Sequence, residues 1–191
     1  MTTSLLNLLR QHKPADANEA DMTARTLAFV EANPTCFERS LLEGHITGSA
    51  WIISADDVPS EPQVLLIHHR KLDRWFQPGG HADGDPDVAA VAQREAEEET
   101  LLTDIRLVSP AIFDVDIHPI PAKGDVPAHL HYDIRFLFTA NQAETLGGEN
   151  REVKGLRWLS LGDAEQLANS ESISRMIRKS RPALLKTLEA L

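Results

Sequence analysis

Apolar positions keep a helical period at both ends of this chain and a strand-like pattern between them. In "SLLNLLRQ", Leu5, Leu8 and Leu9 fall on one helical face, which predicts a short amphipathic helix. "KPADANEAD" punctuates. A second helix is predicted from about Asn18 to Ala32, ending at "NPT". Then the period shortens. "HITGSAWIIS" and "PQVLLIHH" are compact runs rich in β-branched residues between turn residues, and both predict strands. "KLDRWFQPGGHADGDPD" is a loop of Gly, Pro and Asp. A helix follows, then strands near "IRLVSPAIFDVDI" and "HLHYDIRFLFTA", and a last short strand at "KGLRWLS". The C-terminus returns to helix, with "GDAEQLAN" as one piece. Ser180 is the expected cap of another, with Pro182 in its first turn. Mixed strands and helices predict an α/β or α+β sandwich, one sheet covered by helices.

Residues 1–40 thus read as an N-terminal helical extension packed on a domain of residues 41–191. The extension either caps a pocket or makes a homodimer contact. The 191 residues, 42% hydrophobic and 25% charged, suit one folded domain. A formal net charge of −10 excludes general attraction to duplex nucleic acid or an anionic membrane. No run approaches a membrane span, and the first residues lack a basic start and a cleavage pattern, so a cytoplasmic protein is expected. The single cysteine, Cys36, excludes an internal disulfide and reads as a buried small side chain.

Charge concentrates in "REAEEETLL". The helix carrying it is predicted to start with Asp85 as N-cap and Pro86 in the first helical position. Ala89, Ala92 and Ala96 make a small-residue face suited to close packing on a sheet. Glu95, Glu98 and Glu99 sit at i, i+3 and i+4 on a different face, with Glu97 turned away. Such a face is either simply solvated or an oxygen-rich site for a hard divalent cation. The glycines of "QPGGHADGD" let backbone approach the same helix and offer a carbonyl as a further ligand.

"GGHADGDPDVAAVAQREAEEETLL" resembles the Nudix box: Gly, five residues, Glu, seven residues, then Arg-Glu-apolar-x-Glu-Glu-x-Gly-apolar. Gly80 matches the first glycine. Arg94, Glu95, Glu98 and Glu99 match the Arg-Glu and Glu-Glu pairs, Ala96 the first apolar position and Leu102 the last. The resemblance implies a Nudix-type α/β/α sandwich with a mixed β-sheet. It implies hydrolysis of a nucleoside diphosphate linked to another moiety, with Mg²⁺ or Mn²⁺. It places Arg94, Glu95, Glu98 and Glu99 in the catalytic set, and gives the metal to Gly80, Glu95, Glu98 and Glu99, with Glu95 alternatively the base. Two positions depart: the first box glutamate falls on Pro86 and the second glycine on Leu101. Asp85 or Asp83 is expected to substitute by pairing with Arg94. Leucine takes the left-handed conformation only with strain, so the helix is expected to run past Leu101 or to end without that motif.

The two middle strands add a second polar surface. Phe113, Val115 and Ile117 alternate with Asp114, Asp116 and His118. Leu130, Tyr132, Ile134 and Phe136 alternate with His129, His131, Asp133 and Arg135. An antiparallel hairpin through "PIPAKGDVPA" puts all the polar members on one side. That side is a solvated sheet face, or a wall of the site with a substrate or second-metal role. Arg70, His81, Asp116, His131, Asp133 and Glu152 are the substrate-binding candidates. Asp114 and Glu149 join Asp116 and Glu152 as candidate further acids from later in the chain. Two other classes compete with the hydrolase: a catalytically silent nucleotide-sensing module on the same scaffold, and a prenyl diphosphate isomerase. The isomerase would need a cysteine in the pocket.

Overall fold

The computed structural model describes residues 2–54, 62–71, 73–144, 146–147 and 153–188. Two helices come first, α1 (Thr2–Gln11) and α2 (Ala17–Ala32), with Asp16 capping the second by accepting from the Glu19 amide. Strands β1 (Gly44–Ser54), β2 (Gln63–His69), β3 (Arg74–Phe76) and β4 (Gly79–His81) lead into helix α3 (Val88–Thr100). Then come β5 (Arg106–Leu107), β6 (Asp114–Ile120), β7 (His129–Ala140) and β8 (Val153–Ser160). Helices α4 (Leu161–Ala168) and α5 (Glu171–Leu188) close the fold. Among the described residues no helix is long and apolar enough to cross a membrane.

The strands form one mixed sheet. β1 runs parallel to β7 along its whole length, and the other pairings are antiparallel. On its other side β1 meets β4 through Thr47–Ser49 and β2 near its end. Alternation along β1 then sorts the two faces. Ile46, Ala50 and Ile52 share a buried cluster with Val88, Val91, Ala92 and Ala96 of α3 and with Leu5, Leu9, Met22 and Phe29 of α1 and α2. Trp51 and Ile53 point the other way, into a cluster with Leu161, Ala164, Ile173 and Met176 of α4 and α5. This is the expected α/β/α sandwich with a mixed sheet. Gly48 sets how closely α3 lies: a Cβ there would meet the Val88 carbonyl at 2.7 Å.

The N-terminal helices also cover the outer edge of β6. Glu19 accepts from the Val115 amide, and the Ile117 amide reaches Met22 Sδ. An edge strand so covered offers no open ladder to another chain.

Three boundaries differ from the sequence reading. The cap of α3 is Asp87, not Asp85: Asp87 accepts from the Ala90 amide, while Asp85 accepts from Asp87 itself, so the turn holding Pro86 lies before the helix. Leu101 does adopt the left-handed conformation, at φ 58°, and α3 ends there. Burial of Leu102, with its amide on Thr100 Oγ1, and the Gly147 amide on the Thr100 carbonyl turn the chain at that point. Ser180 caps nothing: it lies inside α5, donating to the Met176 carbonyl and accepting from Trp51 Nε1. Phe113 also departs from its predicted face, packing with the α4/α5 cluster while Val115 joins the other.

Candidate active site

The last turns of α3 and the short strand β4 bring the acidic residues together. Gly80 faces α3. A Cβ on it would meet Glu95 Oε2 at 2.2 Å, so the missing side chain is the space that the Glu95 carboxylate fills. The Gly79 amide donates to Glu99 Oε2 at 3.0 Å, which fixes a buried carboxylate against the strand. Glu98, at i+3 from Glu95, is exposed. Glu97 is turned aside and accepts from Gln93.

Arg94 ties the set to the loop. It donates to Glu95 Oε1 at 3.2 Å and to the His81 carbonyl at 3.4 Å. It also lies 3.9 Å from Asp85 and 4.0 Å from Glu98. Asp85 thus stands near Arg94 where the box has its first glutamate. Asp83 is instead bound to Arg39 through both carboxylate oxygens. Burial pushes the Glu95 carboxyl above its ordinary range. Arg94 opposes the shift, and Glu98 and Asp83 add to it. A half-buried acid beside two others, with one arginine against them, suits a cation. Carboxylate oxygens next to glycine backbone are the donor set of a hard divalent ion.

The polar strand face is built as predicted but stands elsewhere. Asp114, Asp116 and His118 pair in register with Arg135, Asp133 and His131. Thr47 and Ser49 of β1 lie opposite Asp133 and Arg135, on the face turned away from α3. The expected wall of the acidic site is therefore the opposite side of the sheet, and α5 packs over part of it. Asp133 accepts from Thr47, Ser49, Gln77 and Arg135. Arg135 also reaches Asp114 and Asp116, at 3.2 and 3.1 Å. Arg175 of α5 adds a forked contact to Asp114, at 2.8 and 2.9 Å, and one to Asp116. Lys179 joins Asp114 to Glu19. Asp116 and Asp133 are thus committed to buried ion pairs. Burial alone would push Asp116 up, but Arg135, His118 and Arg175 overcome it and hold the carboxyl far below its usual range.

His131 falls with His81 and with His45 of β1, not with the glutamates. Arg70 is exposed at the end of β2 and donates to the Val153 carbonyl. Glu149 and Glu152 lie outside the described residues. Sequence reasoning missed Arg175 and Lys179, whose segment "SISRMIRKS" was not read as helix, and it gave His45 no role.

A model of the NUDIX domain matches residues 49–179. The chain belongs to the Nudix family. That family generally uses divalent metals and acts on nucleoside diphosphate derivatives. The matched span leaves α1 and α2 outside. A curated relative, the CMP-5'-(N-acetyl-N-hydroxy-3-aminopropyl)phosphonate hydrolase of Streptomyces rubellomurinus, is 29% identical over 131 residues. The match covers 64% of this chain and spans only 56% of that relative's length. The fold is similar to that of a C. elegans Ap4A hydrolase, with TM-score 0.59 and 20% identity over 74% of this chain and 98% of that one. It is also similar to RenU, a Nudix hydrolase from M. smegmatis, with TM-score 0.56 and 16% identity over 75% and 88%.

Proposed function

We propose that this Nudix protein hydrolyses the pyrophosphate bond of a nucleoside diphosphate linked to another moiety, using Mg²⁺ or Mn²⁺. The observation that carries the reading is the seating of Glu95 and Glu99 against Gly80 and Gly79, with Glu98 beside them at the surface. These three carboxylates are the proposed holders of the metal, with the Gly80 carbonyl as a further oxygen. A bound divalent ion would neutralise phosphate charge and lower the pKa of an attacking water. Arg94 holds Glu95 in place and ties the β4 backbone to the helix. Glu95, raised by its burial, is suited to take a proton from water. The relative named for a CMP–phosphonate conjugate supports a nucleotide-linked substrate.

The test is a panel of nucleoside diphosphate derivatives with Mg²⁺ or Mn²⁺, read by nucleotide or phosphate release and repeated with Glu98→Gln. Loss of a metal ligand should lower turnover roughly 100-fold or more. Unchanged turnover in Glu98→Gln would sink the metal assignment. Tight binding across the panel without turnover would replace the hydrolase with a silent nucleotide sensor.

A further inference from the structure

We infer that His45, His81 and His131 form a second metal site, for a transition ion of the Zn²⁺ class, on the sheet face opposite the acidic helix. The three histidines come from three adjacent strands. His45 lies beside His131 in the parallel pairing of β1 with β7, and His81 projects from β4 opposite Thr47, two residues further along β1. One ring nitrogen from each lies within 4.8 Å of the others. A tetrahedral ion with Zn–N near 2.0–2.1 Å needs nitrogens about 3.4 Å apart. Binding therefore calls for the side chains to rotate toward one another.

The rings are otherwise unexplained. His45 is 4% exposed, and neither of its nitrogens has a hydrogen-bond partner; His131 Nε2 is also buried without one. The Leu41 carbonyl lies near the His45 ring but makes no hydrogen bond of normal geometry to either nitrogen. Core histidines ordinarily satisfy these atoms, since an orphaned nitrogen loses its hydration for nothing. Here the orphaned nitrogens belong to a group whose ligand atoms lie within 4.8 Å of one another.

An imidazole with its ordinary pKa of about 6.5 is mostly neutral at pH 7 and free to bind a metal. An all-imidazole set selects Zn²⁺, Co²⁺, Ni²⁺ or Cu²⁺ and rejects Mg²⁺, so it does not compete with the carboxylates for their ion. The rings of His129 and His118 stand 5.2 and 5.4 Å from His131, beside the fourth position. A bound ion would fasten β4, whose Gly79 amide holds Glu99, to the centre of the sheet.

Co²⁺ titration of the chelator-treated full chain tests this without any turnover assay. One equivalent should give the intense visible bands of a four-coordinate site, and Zn²⁺ should abolish them while millimolar Mg²⁺ does not. The spectrum should persist in Glu98→Gln and weaken at least 100-fold in affinity in His81→Ala and in His131→Gln. Zn²⁺ should raise the melting temperature of the wild type but not of His81→Ala, whose partly buried position on a short strand tolerates truncation. No four-coordinate spectrum in the wild type would overturn the site. So would a spectrum that survives both histidine variants, or one lost in Glu98→Gln, which would put the ion on α3.

Discussion

Replacing Arg175 with Met should cost about 3 kcal/mol at neutral pH, and the cost should shrink as the pH falls. Arg175 is 1% exposed and lies among Glu19, Asp114, Asp116 and Asp133, with Arg135 and Lys179 as the other full cations among the described residues. Counting these carboxylates, arginines and the lysine alone, the cluster's net charge goes from −1 to −2 on substitution. Removing one partner of a buried ion pair typically costs about 3–5 kcal/mol, because a charge stays buried without compensation. Arg135 and Lys179 still touch Asp114, which argues for the low end. Methionine keeps most of the apolar stem, so lost packing adds little.

The pH dependence follows from Asp116. Its folded carboxyl is depressed, so it contributes stability above the unfolded value of about 3.9 and loses it as pH falls. Without Arg175 the depression is smaller. The variant's native state then takes up protons at higher pH than the wild type's, and the difference in stability narrows as the pH falls below about 4. Urea unfolding at pH 7 should show a midpoint lower by about 1.5 M, taking a slope near 2 kcal/mol/M. Asp114→Asn should partly rescue Arg175→Met by removing the uncompensated charge. A loss under about 1 kcal/mol at pH 7, or one unchanged between pH 7 and pH 2, would refute the reasoning.

Glu19 is pushed up by burial but brought down to about 2 by His12, the Ala15 amide and Lys179. Its stabilisation is complete above about pH 4.5 and lost as pH falls toward 2. Glu19→Gln should thus cost about 3 kcal/mol at pH 7 and little near pH 2, read by thermal melts across that range. At Gly80 an added Cβ meets only the end of the Glu95 side chain, whereas at Gly79 it meets Gly48 and Ser49 backbone at 2.7 and 2.8 Å. Gly80→Ala should cut turnover at least about 10-fold while shifting stability by under about 1 kcal/mol; Gly79→Ala should destabilise by about 1–3 kcal/mol. Leu101→Gly should be about 1 kcal/mol more stable than Leu101→Ala in urea unfolding, because both lose the leucine side chain and only glycine relieves φ 58°.

What the sequence could reveal depended on how local each feature is. The acidic face was legible because Glu95, Glu98 and Glu99 need only a helix to meet. The shared faces of β6 and β7 were legible because alternation fixes which residues turn inward, and Val115, Ile134 and Phe136 are buried together. Leu101 misled because local preference opposes its conformation, and only the burial of Leu102 and the Gly147 contact overrule it. Arg175 was hidden because Ser180 reads as a cap, which starts the last helix too late, and its partner Asp114 lies 61 residues earlier. His45 was invisible for a related reason. Its meeting with His131 depends on a parallel pairing between distant strands, which no hairpin logic supplies.

The same alternation explains how one short strand serves both faces of the sheet. In β4, Gly80 turns toward α3 and must be bare, because Glu95 occupies the space a side chain would take. The next residue, His81, turns the opposite way, toward His45 and His131. A slip of one residue against β1 would exchange them, setting an imidazole against Glu95 and leaving the histidine cluster without its third member. Gly79 constrains the register further, since its amide must face Glu99 while its α-carbon lies against Ser49. The pairing of Thr47–Ser49 with His81–Gly79 is therefore the point at which an error would disable both groups at once. That joint requirement gives the GGH triplet a reason beyond the tight approach that glycine alone would explain.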